Sequence, residues 1–213
     1  MSNYLLKIEN VSRSFGRRLI FKDVDYVFNS NGIYGVSGSN GSGKSTLVKI
    51  IAGVLSPSSG KIIHSAGGLN ISSEKLYNHI GLVSPYLILY DEFSAEENLK
   101  HIAQIRGIEY PAQKVNKLLE RLFLLERKDD LVRGYSSGMK QRLKFIFALM
   151  HSPELIILDE PTSNLDNAGK KTVYEIITEE SKAGIVIIAS NEENDLALCK
   201  EIINLEQFKN KNA

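Results

Sequence analysis

Gly38-Ser-Asn-Gly-Ser-Gly-Lys44-Ser45 constrains this chain more than any other stretch, because it fits G-x-x-x-x-G-K-[ST] at every fixed position. Its setting matches as well. The apolar run Gly32–Ser37 before it reads as a short strand, and the pattern from about Lys44 to Ala52 reads as a helix. In such a turn the glycines let the backbone curl, so that N–H groups along Gly38, Ser39, Asn40, Gly41, Ser42 and Gly43 face one oxyanion at the positive end of a helix. Lys44 adds a point charge for the β- and γ-phosphates. Ser45 and Thr46 open the helix, and the Ser45 hydroxyl is a hard oxygen of the kind Mg²⁺ takes. The motif commits the chain to an α/β fold with a P-loop core. Taken alone it signifies nucleotide binding, which kinases and GTPases share.

The rest of the chain is organised around that core. Residues 4–30 alternate short apolar runs (Tyr4 to Val11, Leu19 to Phe21, Asp25 to Phe28) with polar turns, which predicts an antiparallel β region over about residues 1–30. Gly60 to His64 and Ile80 to Val83 read as further strands. About residues 86–140 form a helical region: Ser94-Ala-Glu-Glu97 has the form of a capping box, Pro111 suits a first helical turn, and Leu118, Leu119, Leu122 and Leu125 make an apolar stripe. Beyond Ser136, strands at Leu155–Leu158, Ile185–Ala189 and Ile202–Leu205 alternate with helices, the signature of a parallel sheet. A length of 213 residues suits one domain spanning residues 1–213.

Composition narrows the partners. A net charge of +1 supplies no broad field to recruit nucleic acid or acidic lipid, and no long coiled-coil insertion suggests a nucleic-acid-processing machine. The single cysteine, Cys199, excludes an internal disulfide framework and fits a reducing compartment. No apolar run approaches the ~18 residues a membrane span needs, and the first residues lack a signal-peptide pattern. The expectation is a cytoplasmic protein, held at a membrane only by a partner.

The second half decides among P-loop families. Leu155-Ile-Ile-Leu158 runs into Asp159-Glu160-Pro161-Thr162, placing two acids at the strand end where α/β sheets bind ligands. Asp159 would hold Mg²⁺, and Glu160 would polarise an attacking water. Before them stands Tyr135-Ser136-Ser137-Gly138-Met139, then Lys140-Gln-Arg142; after them comes Ser163-Asn-Leu-Asp166. In this order the motifs resemble the ATP-binding cassette (ABC) ATPase domain of transporters, over essentially the whole chain. The resemblance implies ATP and Mg²⁺ as ligands. It also implies a second ATPase subunit, the same chain or another, whose Ser136, Ser137, Gly138 and Met139 close over the γ-phosphate, and an integral membrane permease on a separate chain, as in exporters. Phe15 falls where the family stacks an aromatic on adenine; a buried core phenylalanine is the competing reading.

Three motifs depart from the family. Pro85 stands where a glutamine is expected, and proline has neither a side-chain amide nor an N–H. Asn191 takes the place of a histidine that contacts the γ-phosphate; its amide donates but carries no charge. A plainer role for this segment is helix capping, with Ser190-x-x-Glu193 as a box. Ser137 and Met139 replace the usual Gly and Gln of the signature. With Glu160 retained, the expectation is an ATPase with Lys44, Glu160 and Asn191 at its centre, slower than one with the histidine. The alternative is an ATP-gated clamp with little hydrolysis. Tyr86 to Tyr90 are too apolar for an ordinary loop, and either join residues 94–127 in a permease groove or belong to the core.

Overall fold

Two sheets, one antiparallel and one parallel, share the burial of the chain's apolar residues in the computed structural model, which describes residues 4–209. The antiparallel sheet holds β1 (Tyr4–Phe15), β2 (Arg18–Phe28), β4 (Ser59–Ala66) and β5 (Leu69–Asn70) in the order β2-β1-β4-β5. The other holds β3 (Gly32–Ser37), β6 (Ile80–Val83), β7 (Leu155–Asp159), β8 (Ile185–Ala189) and β9 (Glu201–Asn204) in the order β6-β7-β8-β3-β9, with every pair parallel. The helices are α1 (Lys44–Ile51), α2 (Ala95–Arg106), α3 (Ala112–Arg121), α4 (Ser137–Leu149), α5 (Asn167–Glu180) and the single turn α6 (Glu193–Leu196).

The antiparallel sheet is longer in its strands and wider in sequence than expected. It draws on residues 59–70 as well as the first thirty. Asp23, a polar position that reads as a turn, is a bulge within a long strand, and so is Asn10, which reads as strand. Asn10 and Asp23 take left-handed φ values of 50° and 52°, and the β1–β2 register shifts beside them. Their neighbours absorb the freed groups: the Asn10 N–H donates to Asp25 Oδ1 at 2.8 Å, and the Asp23 N–H to Ser12 Oγ at 2.9 Å. Such a bulge keeps a strand going while twisting it.

Between the sheets, Tyr4, Leu6 and Ile8 point inward at the strand period of two and meet α1 through Leu47, Val48 and Ile51. Tyr34, Ile157 and Ile187 of the parallel sheet close this layer from the other side. The opposite face of the parallel sheet, with Leu158, Val186 and Ile188, packs with residues of α2, α3, α4 and α5. Burial on both faces explains why β7 and β8 are apolar without alternation. At Gly81 on β6 a Cβ would lie 2.2 Å from the carbonyl oxygen of Ala148, so α4 rests directly on that strand.

The Ser94–Glu97 capping box forms with both of its bonds. Pro111 is the N-cap of α3 rather than its first helical residue, and Leu118, Leu119 and Leu122 are buried with Leu125 half-packed beside them. β9 ends one residue early, and Leu205 begins a 3-10 turn. The expected Ser190–Glu193 box does not form: Glu192 is the N-cap of α6 and makes no side-chain bond. Ser190 Oγ accepts from the Glu192 N–H rather than that of Glu193, and the Ser190 N–H that the Glu193 carboxylate would take is donated to Val36 O at 3.2 Å; the hydroxyl itself donates to the buried Asp195 Oδ2 at 2.7 Å.

Candidate nucleotide site

Because β8 lies between β3 and β7, the loops leaving all three strands converge at one carboxyl edge of the sheet, where open α/β sheets bind ligands. From β3 the chain enters the glycine loop. Gly43, the N-cap of α1, has φ 103°, and a Cβ there would meet Ile20 Cγ2 at 2.5 Å, so the hairpin β1–β2 and the loop fit together only around a glycine. Lys44 is buried, its ammonium donating to the carbonyls of Gly38 at 2.8 Å and Ser39 at 3.3 Å. The loop's outer edge is held by Glu206, whose Oε1 accepts from the Ser39 N–H at 3.0 Å and the Ser39 hydroxyl at 2.6 Å. These bonds, with Lys209, bring the Glu206 carboxyl down to about 2.

From β7 comes Asp159, almost wholly buried. Its Oδ1 accepts from Ser45 Oγ at 2.9 Å, while Oδ2 has no partner. Burial pushes its carboxyl pKa up; the Ser45 bond opposes that, Glu160 adds to it, and Lys49 and Lys44 oppose it again. An unpartnered buried carboxylate oxygen beside a serine hydroxyl, under a phosphate loop, fits Mg²⁺, which takes few protein oxygens and fills its octahedron with water and phosphate. Glu160 follows with φ 51°, a left-handed backbone unusual outside glycine and of the strained kind found at functional sites. Its N–H donates to Ala189 O at 2.9 Å and its carbonyl accepts from Ser163 Oγ at 3.0 Å, leaving the side chain exposed.

Two cavities meet at Glu160. One, of about 310 Å³, is lined by Asn40, Gly41, Gly43, Lys44, Ser45 and Thr46, with Arg18, Ile20 and Tyr86 completing its wall. The other, of about 190 Å³, reaches Asn191 and the buried Asp195. Asn191 is exposed, and its Nδ2 donates to Asn40 Oδ1 at 3.2 Å, so the loop leaving β8 touches the phosphate loop itself. Asp195 collects three hydroxyls: Thr162 at 3.0 Å, Tyr174 at 2.8 Å and Ser190 at 2.7 Å. It joins the segment after Glu160, helix α5 and the β8 loop in one bonded cluster.

The structure thus gathers Gly38 to Thr46, Asp159, Glu160 and Asn191 at one edge. Ser136, Ser137, Gly138 and Met139 line neither cavity. They form the start of α4, with Ser136 and Ser137 exposed and Gly138 and Met139 half-buried; Ser136 is the N-cap and its Oγ accepts from the Met139 N–H at 3.2 Å. Phe15 is no core residue. It is 48% exposed at the end of the β1–β2 hairpin, with the Arg13 guanidinium 4.4 Å from its ring centre.

A family model described as "ABC transporter" matches residues 21–163, which span both the phosphate loop and the Asp159–Glu160 strand end. The chain belongs to the ABC transporter family. Among its relatives are the lantibiotic transport ATP-binding protein SrtF of Streptococcus pyogenes and the linearmycin resistance ATP-binding protein LnrL of Bacillus subtilis. SrtF is 36% identical over 88% of this chain and 80% of its own length. LnrL is 33% identical over 86% of this chain, and the match spans 60% of LnrL. A solved ATP-binding subunit of an ABC transporter superposes with a TM-score of 0.84 at 25% identity, covering 94% of this chain and 85% of that one. ABC domains of this kind bind ATP, and the site described above is where this ABC chain carries the motifs for it.

Reasoning from the sequence of this ABC chain missed Arg18, Ile20, Tyr86, Asp195 and Glu206. Tyr86 was read only as part of an apolar run. The others lie in no motif, and only the fold brings them to the loop.

Proposed function

We propose that this chain is the ATP-hydrolysing motor of a membrane transporter, closing with a second cassette around two Mg-ATP and driving a permease carried on a separate chain. The observation that supports this most is the separation of two anion-ready elements. The Lys44 cavity opens to solvent, and the N-terminus of α4 presents Ser136, Ser137, Gly138 and the Met139 backbone at the surface, outside that cavity. Two subunits facing each other would let both serve one phosphate chain, the cavity of one meeting the α4 N-terminus of the other.

In this reading Lys44 and the loop N–H groups from Gly38 to Thr46 hold the phosphates, and Phe15 stacks on adenine. Ser45 and Asp159 hold Mg²⁺, which when bound neutralises charge on the β- and γ-phosphate oxygens. Glu160 polarises water, and Asn191 donates an uncharged hydrogen bond to the γ-phosphate. An apolar cleft of about 220 Å³, lined by Val54, Tyr77, Leu87, Ile102 and Phe147, receives a permease segment at the inner face of the membrane. Beside it Ile88 and Tyr90 are exposed, whereas Leu89 is buried, so the Tyr86–Tyr90 run is divided between surface and core. Among the described residues no helix is long and apolar enough to cross a membrane. The printed names of SrtF and LnrL support an exporter.

Glu160→Gln tests the closing step. With Mg-ATP the variant should run on sizing as a dimer and return to monomer when ATP is removed; a species that stays monomeric with Mg-ATP would sink the two-cassette reading. A second reading, an ATP-gated clamp with little hydrolysis, draws support from Asn191, whose amide is already engaged by Asn40. Turnover by the purified protein together with its permease separates the two.

A further inference from the structure

Tyr86 has a place that the apolar run around it does not explain. Its side chain is 68% exposed, yet it lines the cavity of Lys44, Ser45, Thr46 and Glu160. The ammonium of Lys49, one turn beyond Ser45 on α1, sits 3.7 Å from the centre of its ring. The cavity wall that Tyr86 shares includes Ser45, whose hydroxyl bonds Asp159, and Glu160. A ring in contact with a cation at this distance is held by its face, with the hydroxyl free at the edge.

The backbone beneath Tyr86 is equally restrained. Lys144 of α4, itself buried, donates to the carbonyls of Ser84 and Pro85 at 3.1 Å each. The Tyr86 N–H donates to Ser84 Oγ at 3.3 Å, the Leu87 N–H donates to Ser84 O at 3.1 Å, and Pro85 fixes its own φ. A lysine buried to tie down two loop carbonyls is a costly arrangement for a segment with no more than a surface role.

We propose that Tyr86 is a nucleotide-contacting residue whose hydroxyl donates a hydrogen bond to the terminal phosphate of ATP. The geometry rests on the ATP-binding reading of the cavity and adds a residue to it. Pro85 has no side-chain donor, so the phenol is the donor this loop can offer. A hydrogen bond to a charged acceptor should contribute about tenfold in affinity. Because the contact is to the last phosphate, ADP would not feel its loss.

The test compares the Mg complexes of ADP and of the non-hydrolysable β,γ-imido analogue of ATP, by calorimetry. Tyr86→Phe, which keeps the ring over Lys49, should weaken binding of the imido analogue about tenfold and leave Mg-ADP unchanged. The chain contains no tryptophan, so Tyr86→Trp places a single indole at the site. Its emission should change more with the imido analogue than with ADP. Equal losses for both nucleotides, no loss for either, or an indole that responds alike to both would overturn the proposal while leaving nucleotide binding intact. A wild-type protein that binds neither nucleotide would instead remove the reading on which the proposal stands.

Discussion

Ser45 Oγ and Asp159 Oδ1 lie 2.9 Å apart although 114 residues separate them in the chain. That bond joins the first turn of α1 to the end of β7 and leaves Asp159 Oδ2 as the one unpartnered oxygen of a buried carboxyl. Ser45→Ala should therefore weaken Mg²⁺-dependent ATP binding by about tenfold while leaving metal-free binding nearly unchanged. A Mg²⁺ titration at fixed nucleotide reads the difference. Equal weakening with and without metal would place Ser45 on the phosphate alone.

Asn191 reaches Asn40 of the phosphate loop but brings only a neutral amide. Asn191→His should raise steady-state hydrolysis, by up to about tenfold, since a transition-state donor of this kind is worth a few kcal/mol and asparagine already supplies part of it. A rate unchanged or lowered by the substitution would mean that this position does not limit turnover.

Asp195 carries the bonded cluster behind the site. Asp195→Ala leaves the hydroxyls of Thr162, Tyr174 and Ser190 without their acceptor and should cost about 3 kcal/mol in urea unfolding. Asp195→Asn keeps one acceptor oxygen and should cost less. If the alanine variant unfolds at the wild-type midpoint, the cluster is not holding these three segments.

Buried His64 and half-buried His151 make stability depend on acid. Burial, assisted by His79, lowers His64 from 6.5 to about 4, and burial with the Arg106 charge does the same to His151. Between those two pH values the unfolded chain binds protons that the folded chain refuses, so stability is full above 6.5 and declines as pH falls toward 4. Each contributes about 3 kcal/mol to that decline at its limit. His64→Gln, whose amide can still meet the Tyr4 hydroxyl, should flatten the loss between pH 7 and pH 5; an unchanged slope would assign it to other groups.

The parts of the site that can be read from the sequence are those carried by contiguous residues. The loop Gly38–Ser45 and the acids after Leu155–Leu158 announce themselves because one short stretch holds strand, turn and ligand together. The bulge at Asp23 looks like a turn in one dimension, since a left-handed polar residue serves equally in either, and only cross-strand pairing tells them apart. The Ser190 box failed for a related reason: its backbone N–H is spent on Val36 of the neighbouring strand, a partner remote in sequence. Glu206 reaches Ser39 across 167 residues, a distance at which no local pattern survives. Tyr86 lay inside an apolar run whose members the fold sends in different directions.

Gly81 lets the Ala148 carbonyl occupy the space a side chain would need, and Lys144 grips the loop that β6 leads into. With contact that close at one end and an ammonium clamp at the other, β6 and α4 have no room to slide past each other. A displacement of α4 is therefore passed to the Ser84–Pro85 backbone beside Tyr86 through the two Lys144 bonds.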